Sequence, residues 1–123
     1  MTREPDDLRA ALRNDLTAAM KARDLDVVTA LRTAIAAIDN AGAVEATETT
    51  AAATSEHFAG AHVGLGATEV ERRNLNAHDI REILRAQQTE HTTHADHYEA
   101  LGQADAADRL RRQADALRPY VSD

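Results

Sequence analysis

Apolar residues recur at three- and four-residue steps in two segments near the start of the chain, a spacing typical of amphipathic helices. Pro5 suits the first turn of a helix, and the carboxylates of Asp6 and Asp7 face the positive end of its dipole. Asp24 is placed to cap a second helix, and Gly42 is expected to end it. The two stripes are Leu8, Ala11, Leu12, Leu16, Ala19 and Met20, then Val28, Leu31, Ile35 and Ile38. Because a short link joins them, residues 6–41 are predicted to form an antiparallel helical hairpin.

A second hairpin is predicted over residues 77–121. Asn76 followed by Asp79 has the spacing of a helix-capping pair, and Gly102 provides a stop. A fourth helix is expected to open at Asp105 and to close at Pro119. The stripe of the third helix is Ile80, Ile83, Leu84, Gln87, His91, Ala95, Tyr98 and Leu101, and that of the fourth is Ala106, Leu110, Ala114 and Leu117.

Helical periodicity is lost between the two hairpins. Residues 43–76 are rich in Thr, Ala, Glu and Gly, and we interpret them as a long flexible loop that is functional, ordered by a partner, or a linker. The alternation near residues 63–70 is compatible with a brief strand, but nothing obvious pairs with it. The fold class predicted is therefore all-α, with about four helices in a single domain over residues 1–123.

Composition indicates a thin core and few kinds of chemistry. The chain has 27 alanines, one Phe, two Tyr and no Trp, so stability must come from closely packed helices, with self-association as one way to add burial. The absence of cysteine excludes disulfides, thiolate metal ligands and cysteine nucleophiles. A net charge of −7 disfavours nucleic acid unless a local basic patch exists. Without an apolar run near the start, we expect no membrane contact and a cytoplasmic location.

The histidines offer a weak candidate metal site. His91 and His97 lie about 120° apart around a helix, so these two and His94 cannot converge on one ion. Glu90, His94 and His97 fall within about 60° of one another and could bind a metal weakly. The alternative, which we favour, is that His91 and His94 flank the core and His97 is solvated. No metal, cofactor or catalytic residue is predicted.

Basic residues offer a candidate binding surface for RNA or a partner protein. If the loop folds back, they could form one phosphate-facing patch. The alternative is that they form routine exposed ion pairs, such as Arg81 with Asp79 and Glu82, or Arg112 with Asp108 and Asp115. The candidates are Lys21, Arg23, Arg32, Arg72, Arg73, Arg81 and Arg85.

Two other patterns point away from catalysis. Gly64-Leu65-Gly66 lacks the third glycine and the Lys-Ser/Thr pair of phosphate loops. Ser55 precedes His57 by two residues, but in a segment that we expect to be too mobile to hold catalytic geometry. A hydrolase is therefore disfavoured.

Residues of both hairpins resemble the GatB/YqeY-type family. The matching residues are Leu16, the run Ala19-Met20-Lys21-Ala22-Arg23-Asp24, Leu31-Arg32 and Ile35 to Asn40, then Tyr98-Glu99-Ala100-Leu101-Gly102, Asp105, Arg109, Leu117 and Tyr120-Val121. The resemblance implies a helical module similar to a C-terminal part of the B subunit of the amidotransferase that amidates mischarged tRNA. Longer relatives continue into a small helical C-terminal domain, which is the part expected to contact tRNA.

Three functions follow as hypotheses from the resemblance and the residues. The first is a non-catalytic binding or accessory module linked to tRNA-dependent amidation, with a protein partner and a weaker tRNA contact. The second is a component of a glutamine-dependent carbon–nitrogen ligase complex, whose other subunits would carry the catalytic centre because this chain has no cysteine. The third is a self-associating structural protein, in which a homo-oligomer supplies the missing burial.

Overall fold

Four helices account for nearly all of the chain that the computed structural model describes, which is residues 4–56 and 75–122, with side chains placed at 4–43 and 75–122. They are α1 (Pro5–Ala22), α2 (Leu25–Glu56), α3 (Ala77–Ala100) and α4 (Ala104–Val121). No strand occurs within these two ranges. The all-α class and the two helical hairpins are confirmed.

The helix starts follow the capping residues read from the sequence. Pro5 occupies the first turn of α1. The Val27 amide donates to Oδ1 of Asp24 at 3.5 Å, which places Asp24 at the start of α2. At α3, the Asp79 amide donates to Oδ1 of Asn76 at 2.8 Å and the Asn76 amide donates to Oδ2 of Asp79 at 3.0 Å. This reciprocal pair satisfies two amides that have no partner inside the helix.

Two predicted helix ends are wrong. Gly42 does not end α2, which continues to Glu56. Among the described residues, Gly102 alone of the glycines has a positive φ, so Gly42 lacks the left-handed conformation of a helix stop. Pro119 does not close α4, since the helix continues to Val121. A proline removes one amide donor, and burial of Tyr120 beyond it offsets that loss.

The predicted loop over residues 43–76 is corrected at both of its ends. Residues 43–56 are helical and belong to α2, where Ala and Glu favour helix. Leu75 is buried in the core and Asn76 caps α3. The remainder, residues 57–74, lies outside the described residues, and with it the suggested strand near 63–70.

The main core lies where both hairpins meet. Its fully buried side chains come from all four helices, and Leu75 joins them from just before α3. Leu75 and Ile80 occupy the two positions of a hydrophobic staple, which sets the direction in which the chain enters the helix. The cluster consists of Leu8, Leu12, Leu31, Ala34, Ile38, Leu75, Ile80, Leu84, Leu117 and Tyr120.

Alanine builds the second part of the interior, between α3 and α4. Ala95 and Ala107 are fully buried and Ala114 nearly so, which shows that the two helices approach closely. The Gln88 side-chain amide donates to the Ala114 carbonyl at 3.3 Å across this contact. Small side chains therefore contribute to the interior of this hairpin beside the larger apolar residues of the main core.

The two hairpin turns are not level with each other. Arg112, in the middle of α4, donates from Nε to Oδ2 of Asp26, in the first turn of α2, at 2.8 Å. The residues of α4 that precede Arg112 therefore extend about two helical turns past the start of α2. As a result, the α3–α4 turn extends beyond the level of the α1–α2 turn along the bundle.

Candidate binding surface

The α1–α2 turn has a defined backbone. Arg23 adopts the left-handed conformation, with φ 58°, and its amide donates to the Met20 carbonyl at 3.2 Å. The Asp24 amide donates to the Ala19 carbonyl at 3.0 Å, and the Val28 amide donates to the Asp24 carbonyl at 3.0 Å. These bonds satisfy carbonyls at the end of α1 and hold the side chains of the turn in fixed relative positions.

Two large apolar side chains are exposed at this turn. Met20 is 49% exposed and Leu25 is 74% exposed, although both belong to helices with well-buried stripes. Met20 was assigned to the core stripe of α1 from its spacing, and that assignment is wrong. Among the described residues, Leu101 at the α3–α4 turn is the other large apolar residue in this exposed class, at 58%. Because Met20 and Leu25 flank the same turn, their exposure makes the turn a candidate contact surface.

Three cations belong to the same turn and the adjacent helix. Lys21, Arg23 and Arg32 are all exposed, and Nη2 of Arg32 lies 3.8 Å from the sulfur of Met20. That contact joins the end of α1 to the second turn of α2. We call this surface the turn patch and define it as Met20, Lys21, Arg23, Leu25 and Arg32.

The cations of the turn patch differ from most other arginines of the described chain. Within residues 4–43 and 75–122, none of Lys21, Arg23 and Arg32 forms an ion pair. Elsewhere five arginines pair with carboxylates, whereas the exposed Arg13 and Arg109 also form no ion pair among the described side chains. The pairs are Arg9–Asp6, Arg85–Glu82, Arg112–Asp26, Arg118–Asp115, and Arg111 with Asp96, Glu99 and Asp108. The turn patch therefore keeps local positive charge on an acidic chain.

Arg111 illustrates how carboxylate partners neutralise an arginine guanidinium. Its Nη1 and Nη2 donate to the two carboxylate oxygens of Glu99 at 3.2 and 3.0 Å, and Nη2 also donates to Asp96 at 3.2 Å. The hydrogen bonds that Arg111 donates to Glu99 and Asp96 raise the pKa of its guanidinium. This cluster joins the last turns of α3 to the middle of α4 and leaves little charge for a partner.

The other predicted cations do not join the turn patch. Arg85 contacts Oε1 of Glu82 at 2.5 Å and donates from Nη2 to the Val121 carbonyl at 3.0 Å, so it caps α4. Arg81 is half-buried on α3 and also has a bonding partner. The predicted Arg112 pairs with Asp108 and Asp115 are wrong, because Arg112 reaches Asp26 on α2. Arg72 and Arg73 lie outside the described residues.

The candidate metal ligands Glu90, His94 and His97 lie on α3 beside His91. His91 is buried, with 8% exposed, whereas Glu90, His94 and His97 are exposed. In the described ranges, no three or more histidines and carboxylates are grouped so that they could hold a metal ion. Nε2 of His91 is buried without a hydrogen-bond partner. Burial lowers the pKa of His91, with Glu90 opposing this effect and His94 adding to it.

A cavity of about 380 Å³ lies at the opposite end of the first hairpin from the turn patch. Arg9, Ile38, Asp39, Gly42 and Leu75 line it. None of these described lining residues is a histidine, serine or cysteine, and Arg9 is paired with Asp6 at 3.7 Å.

The sequence pattern pointed to the cations of the turn patch but not to its apolar part. Leu25 directly follows the capping Asp24 and lies three residues before Val28. Its spacing alone therefore could not show whether Leu25 is exposed or belongs to the apolar stripe of α2. Met20 adjoins the buried Ala19 at the edge of its stripe. Such edge positions are decided by where the neighbouring helix lies.

The fold and the turn patch define an all-α protein with a small surface suited to binding. None of the four helices, as far as residues 4–56 and 75–122 describe them, is both long and apolar enough to cross a bilayer. Comparison of the chain with family models, with curated proteins and with solved structures finds no match.

Proposed function

We propose that the chain is a non-catalytic helical binding module associated with tRNA-dependent amidation. The observation that carries the binding role is the turn patch, where the exposed Met20 and Leu25 flank a turn that also carries three cations without ion pairs among the described side chains, one of them in contact with Met20. The association with amidation rests on the resemblance of the two hairpins to the GatB/YqeY-type family. A protein partner fits this surface, because apolar contacts and charge together give both affinity and orientation.

In this proposal, other subunits of the partner complex carry out glutamine hydrolysis and ligation. Glutamine hydrolysis requires an activated nucleophile, and the chain has no cysteine. Ser122, the serine whose side chain is described, donates to the Arg118 carbonyl at 3.3 Å and has no histidine beside it in that contact. The chain would therefore position or stabilise a complex in which other subunits carry out the ligation.

Binding to a purified tRNA-dependent amidotransferase tests the proposal. Titration calorimetry with the whole chain should give saturable binding, and the chain alone should release no ammonia from glutamine. Addition of the chain should change the amidation rate or the stability of the complex. Turnover by the chain alone would overturn the non-catalytic role, and lack of binding to the amidotransferase would overturn the association with amidation.

Total tRNA serves as the second titrant and separates the two kinds of partner. Phosphate contacts weaken as salt rises, in proportion to the number of cations involved. The turn patch contains three cations and no aromatic side chain on which a base could stack. We expect tRNA to bind much more weakly than the protein partner at moderate salt, and the reverse order would replace this proposal with an RNA-binding one.

A further inference from the structure

We propose that the turn patch binds an acidic segment of a partner protein that also carries apolar side chains. The inference rests on the proposed binding function and adds the chemistry of the partner. It follows from three features of the α1–α2 turn, which are its unpaired cations, its exposed apolar side chains and its fixed backbone.

Charge complementarity selects an acidic partner. Lys21, Arg23 and Arg32 form no ion pair within the described side chains, on a chain whose net charge is −7. Most of the other arginines with described side chains are already held by carboxylates. An acidic segment would therefore be attracted to this turn and repelled from much of the remaining surface, which fixes where it docks.

The exposed Met20 and Leu25 indicate that the partner binds through apolar contacts as well as through charge. Leu25 and Arg32 are seven residues apart on α2, so they lie on the same side of that helix. Arg32 also contacts the sulfur of Met20 on α1, so one exposed apolar side chain lies against its guanidinium and the other, Leu25, lies about two turns away on the same side of α2. A partner that covers Leu25 and Met20 would remove water from the Arg32 contact and strengthen its ion pair with a carboxylate.

The backbone of the turn reduces the cost of binding. Three backbone hydrogen bonds involving Arg23 or Asp24 form at the turn, at 3.0 to 3.2 Å. The side chains are thus presented from a backbone that need not be ordered when the partner arrives. RNA fits this surface less well, since it offers no apolar group for Leu25 and no aromatic residue is present to stack on a base.

The test uses the full chain, labelled with ¹⁵N, and a synthetic peptide of about 20 residues with leucines at helical spacing and glutamates between them. A second peptide replaces every leucine with glutamine and keeps the charge. We expect the first peptide to shift the amide resonances of residues 20–32 and to bind at least about fivefold more tightly than the second. Equal binding of the two peptides, or no binding of the first, would overturn the inference.

Variants of the chain locate the contact. Arg32→Glu and Leu25→Ala should each weaken binding of the leucine peptide by about fivefold to tenfold. The matched controls are Arg118→Glu on α4 and Leu101→Ala at the other turn, both exposed, and they should change binding by less than about twofold. Equal losses in variants and controls would show that the peptide binds elsewhere.

Two further results would also overturn the inference. One is displacement of the peptide by tRNA at moderate salt, which would assign the turn patch to RNA. The other is a change in the same resonances when the unliganded chain is concentrated, which would assign the turn patch to a second copy of the chain.

The amidotransferase titration tests the proposed function separately. If wild-type and Arg32→Glu chains bind that complex equally, the proposed function is kept and the turn patch is not its contact. If the peptide binds and the amidotransferase does not, the turn patch remains a binding surface and the association with amidation is overturned.

Discussion

The hydroxyl of Tyr120 donates a hydrogen bond to the Asp15 carboxylate, and this bond ties the last turn of α4 to the middle of α1. Tyr120 is buried and belongs to the main core, while Asp15 is an exposed residue. The ring thus contributes apolar area and its hydroxyl reaches a charged acceptor at the surface. The two hairpins are joined at this point by both kinds of interaction.

Replacing Tyr120 with Phe should lower the free energy of unfolding by about 1–2 kcal/mol, because the buried ring stays while a hydrogen bond to a charged acceptor is lost. Urea denaturation measures this change. Tyr98→Phe is the matched control and should have an effect within about 0.5 kcal/mol, since Tyr98 is only half-buried. A double-mutant cycle with Asp15→Asn should give a coupling energy, and additivity of the two changes would contradict the assigned bond.

Leu117→Ala should destabilise the protein by about 2–5 kcal/mol, because Leu117 is fully buried where the two hairpins meet and its truncation leaves a cavity. Leu101→Ala, the same substitution at an exposed turn position, should cost less than about 0.5 kcal/mol. Thermal or urea unfolding gives both values. Similar losses at the two positions would contradict the core described here.

Asn76→Ala should destabilise the protein by about 0.5–2 kcal/mol, since it leaves the Asp79 amide without its acceptor at the start of α3. Asn14→Ala, on the exposed side of α1, should be neutral or slightly stabilising because alanine is the better helix former. Urea unfolding of the two variants provides the comparison. If Asn76→Ala behaved like Asn14→Ala, the capping pair would have no energetic role.

His91 should make stability fall as the solution is acidified. Its pKa is lowered in the folded protein by burial, whereas an unfolded histidine has a pKa of about 6.5. Below that value the unfolded state binds a proton that the folded state resists, so the free energy of unfolding decreases until the pH reaches the folded pKa. Urea unfolding at about pH 7.5 and about pH 5.5 should show the loss in the wild type.

His91→Gln should reduce that pH dependence, and His97→Gln, at an exposed neighbouring position, should retain it. At neutral pH, His91→Gln should lose only the stability that the change in packing accounts for, because Nε2 of His91 has no hydrogen-bond partner to lose. An unchanged slope in His91→Gln would show that other groups cause the loss.

Much of the fold could be predicted from local patterns. Helix starts at Pro5, after Asp24 and after Asn76 depend on groups within three or four residues, and all three are found. The stop at Gly102 is local as well, since its φ of 79° favours glycine. Two helix ends, at Gly42 and Pro119, were predicted wrongly, because neither residue stops a helix by itself unless its backbone conformation or lost amide is decisive there.

The candidate site was predictable only in part. Lys21, Arg23 and Arg32 were identified from their charge, but whether each arginine has a carboxylate partner depends on contacts between helices. Arg112 illustrates this, because its partner Asp26 lies 86 residues away in the sequence. Spacing along one helix cannot identify such a pair.

The sequence by itself determined that the chain forms two helical hairpins with apolar stripes, because helix periodicity and capping are local properties. The tertiary structure decided which members of those stripes are buried. Ala19 is buried and Met20 exposed although they are adjacent, and Leu75 enters the core from a segment without periodicity. The physical reason is that burial depends on where the neighbouring helices pack, and only the folded chain specifies their positions.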